Sequence, residues 1–270
     1  MYAAKSTRRQ AIAGLGAAAA AWCCGDHLTD RLVAAAPAPS DPVDDIGRSR
    51  LVDVTPALSI HPRDAWGADL PPRRAMAPED VEFLLVHHSA TSNDVVDPRS
   101  LIRGVYAFHT SAAKGWPDVA YNFFVAPDGS VWEGRAGSID GPVTADATGG
   151  NQGYAQLVCL LGNHVDVAPT AAAQTSLVRT LAWLAGRFSL NTYADASTTF
   201  VSRGSNKFPA GAVITTPIVS AHRDVTFTAC PGDAAVALLP EWRRRVHTTL
   251  SATWEKPGLQ RADRVRFTAQ

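Results

Sequence analysis

Three side chains of this chain are suited to holding a metal: His87 at the end of the apolar run "EFLLVHH", His222 after "PIVSA", and Cys230 in the irregular stretch "SAHRDVTFTACPGD". Two imidazoles carried at strand ends and one thiolate from a loop shaped by Pro231 and Gly232 make three protein ligands with a fourth position open, which is how catalytic zinc is held. Structural zinc closes with four ligands and usually carries short Cys-x-x-Cys pairs, which are absent here. His87 and His222 are far apart in sequence. On spacing alone, a buried histidine and a core thiol remain the more ordinary reading.

These residues need rigid elements behind them. Residues 82–88 and "AQLVCLLG" (155–162) read as buried strands, and 218–221 as a last short strand. "YNFFVAPDGSVWEG" (121–134) is two β-rich runs joined by Pro127-Asp128-Gly129, hence a hairpin. "DPRSLIRGVYAFHT" predicts a helix with Asp97 as N-cap, Pro98 at the first helical position, and Leu101, Val105 and Phe108 on one face. "TAAAQTSLVRTLAWLAGRF" predicts the clearest helix, capped by Thr170, with Leu177, Leu181, Leu184 and Phe188 on one stripe. Residues 190–216 read as a long polar connection, and "AAVALLPEWRRRVHTTL" as a closing helix. Strands interleaved with helices predict an α/β fold with a mixed central sheet flanked by helices, as a single domain over 59–255.

At 270 residues the chain can bury a sizeable core, and Lys plus Arg (25) balances Asp plus Glu (25), so no basic excess argues for a nucleic-acid partner. The start is different in kind. Arg8 and Arg9 precede a short Ala/Gly-rich apolar run, the layout of an export signal resembling the twin-arginine type, shorter than the roughly 20 apolar residues of a membrane span. The expectation is a signal over 1–36, a Pro/Asp-rich linker over 37–58 and a tail over 256–270, with a secreted or cell-wall-associated product, no membrane span after signal removal, and a monomer. A short helix on the mature domain is the alternative for the first residues. Lipid attachment at Cys23 or Cys24 is not expected, because Trp22 fits such a sequence poorly. That leaves Cys159, which looks like a core thiol, and Cys230, either as free groups or as a disulfide.

The ordered motifs "LLVHHSAT", "GWPDVAYNFFVAPDGSVWEGR", "GNQGYAQLVCLLGNH" and "SAHRDVTFTACPGD", preceded by "HPRDAWGA", resemble the peptidoglycan recognition proteins and the related zinc-dependent N-acetylmuramoyl-L-alanine amidases, over about residues 60 to 250. The resemblance implies zinc bound by His87, His222 and Cys230 at the floor of a groove for peptidoglycan or muropeptides. It puts the family's tyrosine at Tyr121 and its second polar helper, Thr or Lys two residues before the cysteine, at Thr228. Both are expected to act in catalysis, as donors to the oxyanion that develops when the bond between the lactyl group of muramic acid and L-alanine is cut. His109, Trp116 and Asn151 fall on groove positions and are the expected substrate contacts. His88, on the opposite side of its strand, and Glu133, in the hairpin, are expected to be structural.

Two departures stand out. Some amidase relatives carry a Glu on the strand that here reads Cys159 and Leu161, and Asp146 stands where the family often has a His. Members that only bind peptidoglycan typically lack the cysteine ligand, so retention of His87, His222, Cys230 and Tyr121 together implies an enzyme. A non-catalytic binding protein is the alternative.

Overall fold

The computed structural model describes residues 50–149 and 154–254. The export-signal, lipid-attachment and tail segments, residues 37–49 of the linker, and Asn151 lie outside the described residues. In chain order the elements are β1 (Val52–Thr55), β2 (Leu58–Ile60), α1 (Asp64–Gly67), β3 (Phe83–His88), α2 (Pro98–His109), β4 (Phe123–Val125) and β5 (Val131–Glu133). They continue with β6 (Ala155–Leu160), α3 (Ala171–Arg187), β7 (Ser197–Val201), β8 (Val213–Pro217), β9 (Val219–Ala221), α4 (His222–Val225), α5 (Asp233–Val236) and α6 (Leu239–Trp254).

The central sheet has the order β5-β4-β6-β3-β9. β3 runs parallel to both neighbours, β4 is parallel to β6, and β5 turns back antiparallel as the predicted hairpin. A strand paired on both edges and covered on both faces must be apolar throughout, which is why "FLLVHH" shows no polar alternation and all six residues are buried. Its period of two still sorts the side chains. Leu84 and Val86 face a core shared with Leu177 and Leu181 of α3 and Trp242 and Val246 of α6. Phe83 and Leu85 face a second core with Ile102 and Tyr106 of α2, Phe200 of β7 and Ile214 of β8. The mixed sheet with helices on both sides is the expected architecture.

Several elements differ from expectation. In α2, Asp97 caps as predicted, accepting from the Arg99 and Ser100 amides. The inward stripe, however, is Ile102, Tyr106 and His109, and Phe108 is exposed. Both stripes have the same i, i+4, i+7 spacing, so spacing could not choose between them; the Tyr106 hydroxyl, donating to the Pro71 carbonyl at 2.8 Å, helps set the rotation. Residues 52–55 of the expected linker form β1, which pairs antiparallel with β2 at the linker's end, and β2 places Leu58 and Ile60 in the core. The 190–216 connection contains the β7–β8 hairpin, anchored by inward-facing Phe200 and Ile214. The closing helix is broken into α5 and α6, with Pro240, which has no amide proton to donate, in the first turn of α6. By contrast α3 forms as read, with Thr170 Oγ1 accepting from the Ala173 amide.

Buried charge ties the hairpin and the turn before it to Arg63, just after β2. Asp118 is fully buried and accepts from Arg63 Nη2 (2.7 Å) and Nε (3.1 Å) and from the Val119 and Ala136 amides. Glu133 accepts from the Arg63 and Ile139 amides, each at 3.0 Å, the structural part expected of it. Burial pushes its carboxyl pKa up, so these amides supply much of what solvent would. Removing one partner of such a pair strands the other charge. Asp118→Ala is therefore expected to lower the unfolding free energy by about 3–5 kcal/mol in urea titrations followed by circular dichroism.

Candidate functional site

His87 and His222 meet because β3 and β9 are parallel neighbours in a defined register. Val86 pairs with Ala221, so the residue that follows each of them is a histidine, and the two ring centroids lie 4.3 Å apart. His222 opens the one-turn helix α4, whose start is held by the Asp224 carboxylate accepting from the Ala221 amide at 2.9 Å. The chain then loops back through Cys230, whose carbonyl accepts from the Arg223 amide. Gly232 completes the turn with φ +96°. A Cβ there would lie 2.2 Å from the carbonyl carbon and oxygen of His164, so only glycine lets the loop pack this closely.

His87, His222 and Cys230 are fully buried, and one candidate ligand atom from each lies within 4.8 Å of the others. Among the described residues, neither ring nitrogen of His222 has a hydrogen-bond partner, and neither does His87 Nε2. Each such orphaned buried group costs about 1–3 kcal/mol unless something else satisfies it. Burial, reinforced by nearby His222 and His88, drives the His87 pKa well below its usual value, leaving the neutral imidazole that a metal requires. Zinc bonds of about 2.3 Å to sulfur and about 2.0–2.1 Å to nitrogen at tetrahedral angles separate the two ligand atoms by about 3.5 Å. Cys230 Sγ and His87 Nδ1 are 3.5 Å apart. The donor set, the spacing of Cys230 Sγ from His87 Nδ1 and the orphaned nitrogens of His222 fit zinc.

The immediate surroundings are equally constrained. The His88 amide donates to Cys230 Sγ at 3.4 Å. His88 itself faces away from the cluster, as expected, and its Nδ1 accepts from the His164 amide. Cys159 is the residue beside His87 on β6; it is buried, as is Cys230, and no disulfide joins them. The Tyr121 ring lies 5.1 Å from the His87 ring and is only 4 % exposed. Its backbone segment is held at several points. Arg135 Nε donates to the Val119 carbonyl, the Arg135 amide to the Tyr121 carbonyl, and the Ala120 amide to His109 Nδ1.

The expected groove residues divide. His109 is buried, with its ring 5.6 Å from Tyr121 and 4.8 Å from half-buried Trp116, so it braces the aromatic wall from behind. Lys114 Nζ sits 5.3 Å over the Trp116 ring. Thr228 is partly exposed, and its hydroxyl oxygen accepts from the Cys230 amide at 3.2 Å, which shapes the loop whatever else the hydroxyl does. Asp146 pairs with Arg135, so its carboxylate serves the scaffold behind Tyr121. Sequence reasoning did not single out Arg63, Asp118 or Arg135, although all three lie in the quoted motifs; nothing in a charged residue type announces that it is buried.

His109 gives a pH test. Burial is the main cause that lowers its pKa to about 3. Because the folded protein then binds fewer protons than the unfolded chain, its contribution to stability falls as pH drops below the ordinary histidine value. Between pH 7 and pH 5 the loss from this residue should be about 2 kcal/mol. His109→Gln should show a correspondingly shallower decline in denaturant-derived stability over that range.

Comparison with known proteins gives the family and the fold. Residues 77–233 match the Amidase_2 family model, N-acetylmuramoyl-L-alanine amidase, a stretch that contains all three cluster residues. A pig (Sus scrofa) N-acetylmuramoyl-L-alanine amidase is 30 % identical over 192 residues, covering 69 % of this chain but only 27 % of that protein. Peptidoglycan recognition protein 1 of Bos indicus is 27 % identical over 190 residues, covering 68 % of this chain and 84 % of that one. The crystallised Drosophila peptidoglycan recognition protein SA shares the fold, with a TM-score of 0.52, 21 % identity, and coverage of 68 % and 91 %. Because the family model matches more than half of this chain, the chain belongs to the Amidase_2 family.

Proposed function

We propose that this protein is a zinc-dependent amidase that hydrolyses the bond between the lactyl group of N-acetylmuramic acid and L-alanine in peptidoglycan, working outside the cytoplasm after export. The observation that carries the reading is the complete buried cluster: the His222 imidazole, both of its nitrogens without a partner among the described residues, is set against His87 and Cys230. Cys230 is the ligand that members which only bind peptidoglycan typically lack.

His87, His222 and Cys230 would hold the metal. When bound, zinc supplies a water acidic enough to ionise near neutral pH and a Lewis acid for the scissile carbonyl. The single thiolate leaves such a site with net positive charge, suited to a carbonyl oxygen that gains negative charge. Tyr121, packed beside His87, would donate its phenolic proton in a hydrogen bond to that oxygen, and Thr228 would contribute from the loop next to Cys230. The residue beside His87 on β6 is Cys159 rather than a carboxylate, so the proton that the attacking water gives up would reach the leaving amine through Tyr121, through the substrate or directly from that water. Half-buried Trp116 and the side chains around it offer an aromatic face to a sugar ring.

The similarity to peptidoglycan recognition protein 1 supports a second reading, a binder without hydrolysis. Mass spectrometry of muropeptides released from purified peptidoglycan separates the two. The amidase reading expects free stem peptides beginning with L-alanine, abolished by a chelator and by Cys230→Ser, which should also lose zinc while keeping the fold. Tyr121→Phe is expected to keep its zinc and lower turnover by about 100- to 1,000-fold. Wild-type protein that retains peptidoglycan but releases no peptide would establish the binder instead.

A further inference from the structure

The β7–β8 hairpin has no part in the chemistry above, yet its tip grips the loop that carries two of the three cluster residues. Asn206 forms a reciprocal pair with Phe227: the Phe227 amide donates to Asn206 Oδ1 at 2.8 Å, and Asn206 Nδ2 donates to the Phe227 carbonyl at 3.1 Å. Lys207 Nζ donates to the Arg223 and Asp224 carbonyls at 2.8 and 2.9 Å, and Ser205 Oγ to the Val225 carbonyl at 3.1 Å. These are the carbonyls that a one-turn helix leaves unused at its end. Ser205 Oγ also accepts from the Lys207 and Phe208 amides, so the gripping turn is itself braced.

The other end of the hairpin is fastened to the central strand. Phe200 stacks on Phe83 of β3 with ring centroids 5.0 Å apart, and Thr198 Oγ1 donates to Glu82 Oε2 at 3.1 Å. The hairpin therefore links the start of the strand that bears His87 to the loop that bears His222 and Cys230. On its far side the same loop is held by Arg223, which bonds Asp233 and the Ala229 carbonyl.

We infer that Asn206 and Lys207 are positioning residues for the metal: they hold the 222–230 loop so that His222 and Cys230 stay within reach of His87. Ligand geometry set by an outer ring of hydrogen bonds is worth about 10- to 100-fold in metal affinity. The inference rests on the zinc reading of the cluster, and its consequences can be told apart from that reading. Asn206 is exposed, so Asn206→Ala removes the grip with little effect on the core.

The test is zinc affinity by competition with a chromophoric chelator, the visible spectrum of the cobalt-substituted protein, and the unfolding midpoint of the metal-free protein. Asn206→Ala and Lys207→Met should each bind zinc about 10- to 100-fold more weakly and shift the cobalt spectrum. Thr199→Ala, which alters the exposed Thr199–Thr215 contact on the same hairpin, should keep wild-type affinity and match both variants in metal-free midpoint. Affinity unchanged in Asn206→Ala, or weakened equally in Thr199→Ala, would overturn the inference while leaving the metal site intact. Wild-type protein that takes up no zinc would overturn the metal reading and this inference with it. If Lys207→Met does not fold, Asn206→Ala decides alone.

Discussion

The site depends on one piece of backbone geometry, the parallel pairing of β3 with β9. Parallel neighbours point their C-terminal ends the same way, and the Val86–Ala221 register makes the first residue beyond each pair a histidine. Two imidazoles far apart in the chain thereby come within contact distance without any flexible segment having to bring them together. Because β3 is also paired with β6 on its other edge, this end of the sheet cannot slide, and a one-residue slip would turn His87 into the opposite core.

The same pairing explains why adjacent histidines do different work. Alternation sends His87 to the cluster and His88 to the other side, where its ring receives the His164 amide. The His88 backbone still serves the site, since its amide points at Cys230 Sγ. The third cluster residue arrives by a different route: a one-turn helix and a tight loop, pressed against residues 164 and 165 at a position only Gly232 can occupy. Short helices and loops of this kind are weakly specified on their own, and the structure compensates with side-chain bonds from the β7–β8 tip on one flank and Arg223 on the other.

Tyr121 is held by a comparable device. Arg135 and His109 occupy the backbone groups around it, and Asp118 locks the preceding turn to Arg63. Much of the motif "GWPDVAYNFFVAPDGSVWEGR" is therefore scaffold: Asp118, Glu133 and Arg135 are buried and engaged with other parts of the chain. A motif of this type signals a site as much through the residues that support the chemistry as through those that perform it.

The buried strands, the β4–β5 hairpin and the capped helix α3 were legible in the sequence, because continuous apolar runs, a Pro-Asp-Gly turn and a helical stripe behind a threonine are local signals. The candidate residues of the cluster were legible as residue types, and their roles came from resemblance to a known family. What only the tertiary structure decided was anything resting on pairing between distant segments. That includes which stripe of α2 faces inward, where two stripes share the same spacing, and the strand character of residues 52–60 and 197–217. It also includes the burial of Asp118 and Arg135 and the grip of Asn206 and Lys207 on the 222–230 loop. The physical reason is common to all of these: a side chain's type is local, but its burial and its partners are set by the parts of the chain packed against it.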